Sequence, residues 1–332
     1  MVISMKRVTR RVLLLTYKYM DRIIKFDDLK KVVEEAYEAQ KNNAAGQPDP
    51  LVADMNAGEF GISVRLTDGR KFDLGHTQSG FAIGGGIERV PISLQLLQQM
   101  PVDDIMEQMG MKCCKCGCKA DKVAKPHPAH LHAHGVRAMS LVEPVGDSDG
   151  KMSILSDLMT GLMGTSPVLD DALYQKSTKN NADNKVINLL AENGFELYDS
   201  AEISVDLFTR IHSMLATAEQ LALMGATIAA DGVNPETKEV VFDGALSQTL
   251  VAMIAAKGPR HMGRPWMILT GVPAVSSYGG GFMTVIPGVG SISAFSPELN
   301  EAGVPVKAAM AVKEIVNKLQ LSAFASAKVK VE

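Results

Sequence analysis

A chain of 332 residues can bury one large core or two modest ones. With 46% hydrophobic and 21% charged residues it reads as globular, which excludes a disordered chain. The net charge of −3 excludes nucleic acid as an expected partner, and no run is apolar for long enough to span a bilayer. Aromatic residues are scarce at 5% while Met reaches 19, a composition suited to an adaptable core or to extended contact faces.

The first residues, MVISMKRVTRRVLLLTYKYM, are basic, with no acid before Asp21 and a short apolar patch at Val12–Leu15. The patch is too short for a signal sequence, and no small-residue cleavage site follows it. Residues 1–25 are therefore read as a retained N-terminal extension and 26–332 as a single domain. The expected location is cytoplasmic, with the mitochondrion or another organelle as the alternative.

Leu29, Val32, Val33, Ala36 and Tyr37 recur at helical spacing and predict an amphipathic helix over Phe26–Gln40. Phe60, Ile62, Val64 and Leu66 alternate with polar residues. With the turn Thr67-Asp68-Gly69-Arg70 and a return over Lys71–Leu74, they predict a hairpin. A glycine-rich stretch, Phe81–Glu88, precedes a predicted helix at Pro91–Met100, and residues 110–151 read as irregular. Helices are predicted over Ser153–Met163 and Asn184–Asn193, and over a long apolar stretch Asp206–Ala230 that breaks near Thr217 and stops at Asp231-Gly232. A helix at Ser247–Ala256, strands at Phe282–Ile286 and Ile292–Ser296 joined by Pro287-Gly288-Val289-Gly290, and a helix at Val306–Leu321 complete the chain. This order implies an α+β fold: one antiparallel sheet flanked by the terminal helices, plus a helical lobe, with a pocket between them.

Three stretches carry a family resemblance. Leu221–Pro235 reads LALMGATIAADGVNP, and Gly271–Gly281 reads GVPAVSSYGGG, followed by Val285-Ile286-Pro287-Gly288 and Ala294–Gly303, AFSPELNEAG. The third pairs Phe60–Val64 and the Asp68-Gly69 turn with Phe81–Glu88, FAIGGGIE. In this order and spacing they resemble the serine-dependent glutaminases, whose fold is β-lactamase-like. The resemblance implies hydrolysis of glutamine to glutamate and ammonia. It also implies an S-x-x-K pair in which the serine attacks the side-chain amide, the lysine takes the proton, and backbone N–H groups hold the oxyanion.

This chain departs from that pattern. The serine position falls on Gly85 and the lysine position on Glu88, and no Ser lies between Phe81 and Ile92. A tyrosine of the family falls on Phe208, a lysine on Val275, the oxyanion valine on Tyr278, whose bulk is expected to protrude into the pocket, and a glutamate on Ser177. Asn184 and Ser276 keep the family's residue types, and both also suit ordinary hydrogen bonding at a helix start or in a loop. The family's Y-I-P segment has no match near Gln47–Pro50, and its N-A-G-A segment is replaced at Lys151–Ser156.

Every Cys of the chain lies in Cys113-Cys114-Lys115-Cys116-Gly117-Cys118, and His127, His130, His132 and His134 follow closely. Thiolate and imidazole favour zinc or copper. Alternation in an extended segment would put His130, His132 and His134 on one side. The alternative is a surface loop with incidental Cys and His.

The expected function is thus a non-catalytic glutaminase-like protein with a structural role as a homo-oligomer, from dimer to filament. One alternative is a glutaminase-type amidohydrolase or a small-molecule binder with altered chemistry, using Glu88 as general base if its pKa were raised. A second is a metal-binding protein acting through the Cys/His segment.

Overall fold

Apolar spacing and turn chemistry settle most of the elements. The computed structural model describes residues 21–109, 128–183, 187, 188, 191 and 197–332. In chain order, β1 (Arg22–Ile24) and α1 (Phe26–Gln40) precede β2 (Gly61–Leu66), β3 (Lys71–Gly75) and β4 (Phe81–Ala82). Helices α2 (Arg89–Gln99), α3 (Val102–Gln108), α4 (Pro128–Leu141) and α5 (Ser148–Met163) lead to β5 (Val168–Leu169) and α6 (Asp171–Asp183). Next come α7 (Ala201–His212), β6 (Met214–Ala216), α8 (Ala218–Ala229), α9 (Ser247–Lys257) and α10 (Gly263–Thr270). Strands β7 (Ala274–Ser276), β8 (Gly281–Thr284) and β9 (Gly290–Phe295), helix α11 (Val306–Lys318) and β10 (Val329–Val331) close the chain.

The two predicted hairpins merge into one antiparallel sheet of order β3-β2-β9-β8-β7. Its register sets Ile62 opposite Leu74 on one side and Ala294 on the other. Ile62, Val64, Phe282, Ile292 and Ala294 belong to a core shared with Leu29 and Val33 of α1 and with Ala308, Val312 and Ile315 of α11. In α10, Trp266 donates its indole N–H to the Val272 carbonyl at 2.8 Å and meets Phe282 edge-on, with 4.8 Å between centroids.

The alternating polar residues of β2 are not solvated as a simple hairpin would have them. Ser63 and Arg65 are buried, and Arg65 meets Asp73 (2.6 Å), Glu236 (3.0 Å) and Glu219 of α8 (3.2 Å). A guanidinium taken out of water needs such compensation. Helix α8 lies so close to the sheet that a Cβ on Gly225 would meet the Thr284 carbonyl at 2.6 Å.

The predicted break near Thr217 is a helix start. Strand β6 ends there, and Thr217 and Gln220 form a reciprocal capping box opening α8. Strand β6 pairs with β4 and β5 in a small sheet that periodicity did not reveal, because its strands are only two or three residues long. Four helices were also missed, the short α3 and α10 together with α4 and α6. Residues 128–141 were read as irregular from their His, Pro and Gly content, yet they form α4, with Pro128 at its first position and Val136 and Met139 buried. Helix α6 has weak apolar periodicity and is opened by Asp170, whose carboxylate accepts the Leu173 N–H at 2.9 Å. The helix predicted over Asn184–Asn193 falls largely outside the described residues; 187, 188 and 191 are helical.

Helices α2 to α9 build the second lobe around a core that includes Ile87, Ile92, Met139, Leu155, Phe208, Met224 and Ile254. In that lobe Lys151 of α5 is buried and ion-paired with Asp199 at 2.7 Å. Strands β1 and β10 pair in parallel, joining Ile23 to Lys330 across the chain.

Candidate functional site at the Gly84–Glu88 turn

The turn between β4 and α2 lies between the sheet and the helical lobe, where a catalytic turn would be expected. Three glycines let the backbone pass where side chains could not. A Cβ on Gly84 would meet the rings of Tyr278 and His212, and one on Gly86 would lie 2.5 Å from the Ser276 carbonyl oxygen. Gly85 has a φ of +99°, and a Cβ there would meet Nη1 of Arg260. That guanidinium donates to the Gly85 carbonyl at 3.2 Å, and its Nε lies 3.0 Å from where a Cβ on Gly303 would stand. Arg260 therefore occupies the space into which a side chain at position 85 would project.

Glu88 is wholly buried at the start of α2. Its Oε2 accepts the Gly86 N–H at 2.6 Å, so the carboxylate folds back onto the turn. Its Oε1 lies 3.7 Å from Arg89 Nε and 3.8 Å from His212 Nδ1. Burial alone would push this carboxyl up, but the interaction with His212, the charge of Arg89 and the Gly86 amide outweigh it and hold it at about 2. A general base at neutral pH is favoured by the opposite shift, the one on which the expectation for Glu88 depended.

The neighbours of the turn are aromatic. Tyr278 stacks on His212 with 4.8 Å between centroids, and its hydroxyl donates to the His212 carbonyl at 3.3 Å. Its N–H donates to Gly84 O at 2.8 Å. Burial, with the charges of Asp49 and Glu88, pushes the Tyr278 hydroxyl far above its ordinary value, so it stays protonated. The Phe208 ring lies 5.7 Å from His212 and packs against Gly135 of α4, where a Cβ would meet it.

A family model described as Glutaminase matches residues 46–324. The chain belongs to the glutaminase family. Among its relatives, the glutaminase of Bacteroides thetaiotaomicron is 36% identical over 313 residues, covering 92% of this chain and 97% of the relative. The glutaminase of Bacteroides fragilis is 36% identical over 318 residues, covering 93% and 99%. Among solved structures, the probable glutaminase YbaS superposes with a TM-score of 0.79 at 25% identity, covering 91% of this chain and 99% of that one. The Bacillus subtilis glutaminase YbgJ, described as a covalent complex with 5-oxo-L-norleucine, superposes with a TM-score of 0.74 at 20% identity, covering 89% and 98%. The β-lactamase-like glutaminase fold expected from sequence is thus the fold found.

Within this glutaminase-family fold, Gly85, Glu88, Ser276 and Tyr278 come together at one turn, as their motif positions implied. Ser177 on α6 joins them: it receives a hydrogen bond from Ser213 at 3.4 Å and faces the Tyr278 hydroxyl. Val275 and Ser276 are buried on β7, and the Ser276 hydroxyl makes no hydrogen bond among the described residues. Asn184 lies outside the described residues. So do Cys113, Cys114, Cys116, Cys118 and His127. The expectation of an extended His130-His132-His134 segment is corrected, because that segment is helical within α4 and strand alternation does not apply. Among the described residues no three His, Cys, Asp or Glu are grouped to hold a metal. No helix among them is long and apolar enough to cross a membrane.

Sequence reasoning missed His212 and Arg260. His212 sits one helical turn after Phe208, so its side was legible once Phe208 was placed. Arg260 reaches the turn from 175 positions away, and nothing local marks it.

Proposed function

We propose that this chain is a glutaminase-family protein without the family's serine–lysine chemistry, acting as a subunit of a homo-oligomer. The observation that carries this reading is the pairing of Gly85 with Arg260. The position that would hold the attacking hydroxyl has no side chain, and a guanidinium fills its space. Four positions supply independent support. Glu88 is a buried anion where a proton-accepting amine is implied, Phe208 and Val275 are apolar where a tyrosine and a lysine are implied, and the bulky Tyr278 stands where the oxyanion valine is implied. Loss of residues that act as a unit removes orders of magnitude in rate. The oligomeric role rests on the Met-rich, aromatic-poor composition and on the family resemblance.

The reagent 6-diazo-5-oxo-L-norleucine, which reacted with the Bacillus subtilis relative, offers the direct test. Intact-mass measurement after incubation is expected to show unmodified chain, and coupled assay is expected to show no ammonia release from glutamine. A stoichiometric adduct or steady turnover would overturn the proposal. Light scattering on the purified chain is expected to give a mass above one protomer.

A second reading is favoured by the relatives themselves, which carry the name glutaminase at 36% identity over nearly the whole chain. On that reading the chain still hydrolyses glutamine through another hydroxyl, with Ser276 buried beside the turn as its candidate. Turnover that disappears in Ser276→Ala would select it. Zinc or copper at Cys113–His134 is a separate proposal, tested by metal content before and after Cys116→Ser and Cys118→Ser.

A further inference from the structure

A cavity of about 440 Å³ opens between α2, α4 and α9. Gly86 forms part of its wall, so it adjoins the Gly84–Glu88 turn, but Gly85, Glu88, His212, Arg260 and Tyr278 are not among its lining residues. Most of the wall is apolar, built from Val90, Leu250, Ile254, Val275 and their neighbours. Its polar side chains are the cations Arg89 and Lys257, with Ser93 and His134. Such a volume is of the size that takes a small organic ligand, and an apolar chamber with a few convergent polar groups is the usual form of such a site.

The charge at this place is unbalanced. Lys257, in the last turn of α9, feels Arg89 and Arg260 as like charges and only Glu88 as an opposite one. Glu88 in turn is already engaged by the Gly86 N–H and lies near His212 and Arg89. Lys257 makes no hydrogen bond or ion pair among the described residues. Burial and its two cationic neighbours pull its ammonium down to about 8. A half-buried cation among cations, lining an apolar chamber, is stabilised by an anion supplied from outside. The apolar walls require that anion to carry a hydrocarbon body.

We propose that this cavity binds an aliphatic carboxylate of medium chain length, with the hydrocarbon along Val90, Leu250, Ile254 and Val275 and the carboxylate at Lys257 and Arg89. The inference does not require the chain to lack or to keep glutamine hydrolysis, since Gly85 and Glu88 do not line the cavity, although Gly86 and Val275 of the neighbouring site do. Charge complementarity selects the carboxylate over a neutral lipid, because a charge-assisted hydrogen bond is about twice as strong as a neutral one.

Isothermal titration of the full chain with sodium decanoate, below its micelle concentration at pH 7, tests this. One binding site per chain is expected. Decanol, which keeps the body and lacks the charge, is expected to bind about tenfold more weakly, as loss of one charged contact implies. Lys257→Gln is expected to weaken decanoate to a similar degree and to leave decanol unchanged. Ala138→Phe and, separately, Met253→Trp project bulk into the cavity, and each is expected to abolish binding of both while thermal unfolding shows a folded chain. Absence of decanoate binding to the unmodified chain would overturn the proposal. So would equal affinity for decanol, or unchanged decanoate affinity in Lys257→Gln.

Discussion

Two glycine-rich stretches lie side by side, joined where Tyr278 N–H donates to Gly84 O, and they differ in what constrains them. At Gly279–Gly281 the constraint is mainly backbone. A Cβ on Gly279 would meet the backbone of Ala82, and Gly280, at a φ of +101°, would drive one into the Ser296 carbonyl. Ser296 N–H also donates to Gly280 O at 3.0 Å. At Gly84–Gly86 the constraint comes largely from side chains: Arg260, Tyr278 and His212 crowd Gly84 and Gly85, and only Gly86 faces a carbonyl. A backbone constraint follows from the sheet itself and holds whatever the pocket does. A side-chain constraint depends on residues that substitution can exchange. Hence the stretch at 271–281 still reads as its family's, whereas the turn at 84–88 departs from the family's motif at Gly85 and Glu88 and packs on Arg260, Tyr278 and His212.

Substitution can break or sharpen this contrast. Gly280→Ala forces a Cβ against a main-chain oxygen at positive φ, and a loss of ~4 kcal/mol in urea unfolding is expected. A loss below about 1 kcal/mol would mean that the backbone is not the rigid partner in the contrast.

Glu88→Gln comes next. The carboxyl is held below its ordinary 4.5, at about 2, so its stabilisation is fully present above about 4.5 and is lost as pH falls toward 2. The expected cost at pH 7 is about 3 kcal/mol, the free energy matching that displacement. Unfolding measured from pH 7 to pH 3 should show the difference between variant and parent shrinking on the acid side. A constant difference would assign the loss to packing instead of charge.

The smallest effect is expected at the turn. Gly85→Ala should cost about 2 kcal/mol, and in an Arg260→Ala background the same change should cost about 1 kcal/mol, because the flexible guanidinium accounts for part of the clash. Equal costs in both backgrounds would show that positive φ alone sets the penalty at Gly85.

The architecture was legible where periodicity was long. Leu29 to Tyr37 and Ile62 to Leu66 fix α1 and β2 by spacing alone, and the Pro287-Gly288-Val289-Gly290 turn fixes the pairing of β8 with β9. It was illegible where elements are short or their composition misleads. Strands β4 and β5 have two residues each, and α4 hides among His and Pro residues that suggest a loop. The site was legible as a set of departures, since Gly85, Glu88, Phe208 and Tyr278 stand at motif positions. The surroundings of those positions were less legible, because Arg260 reaches the turn from a distant segment through a contact that no local pattern encodes.

The lone tryptophan lends the two-lobed build an optical handle. Trp266 sits in the core beneath the sheet, tied to Val272 and set against Phe282, while the helical lobe contains no tryptophan. Its emission therefore reports the opening of one layer, and far-ultraviolet dichroism is dominated by the helices of the other. Coincident melting curves by the two signals would mean that the sheet layer and the helical lobe lose their order as a single cooperative unit.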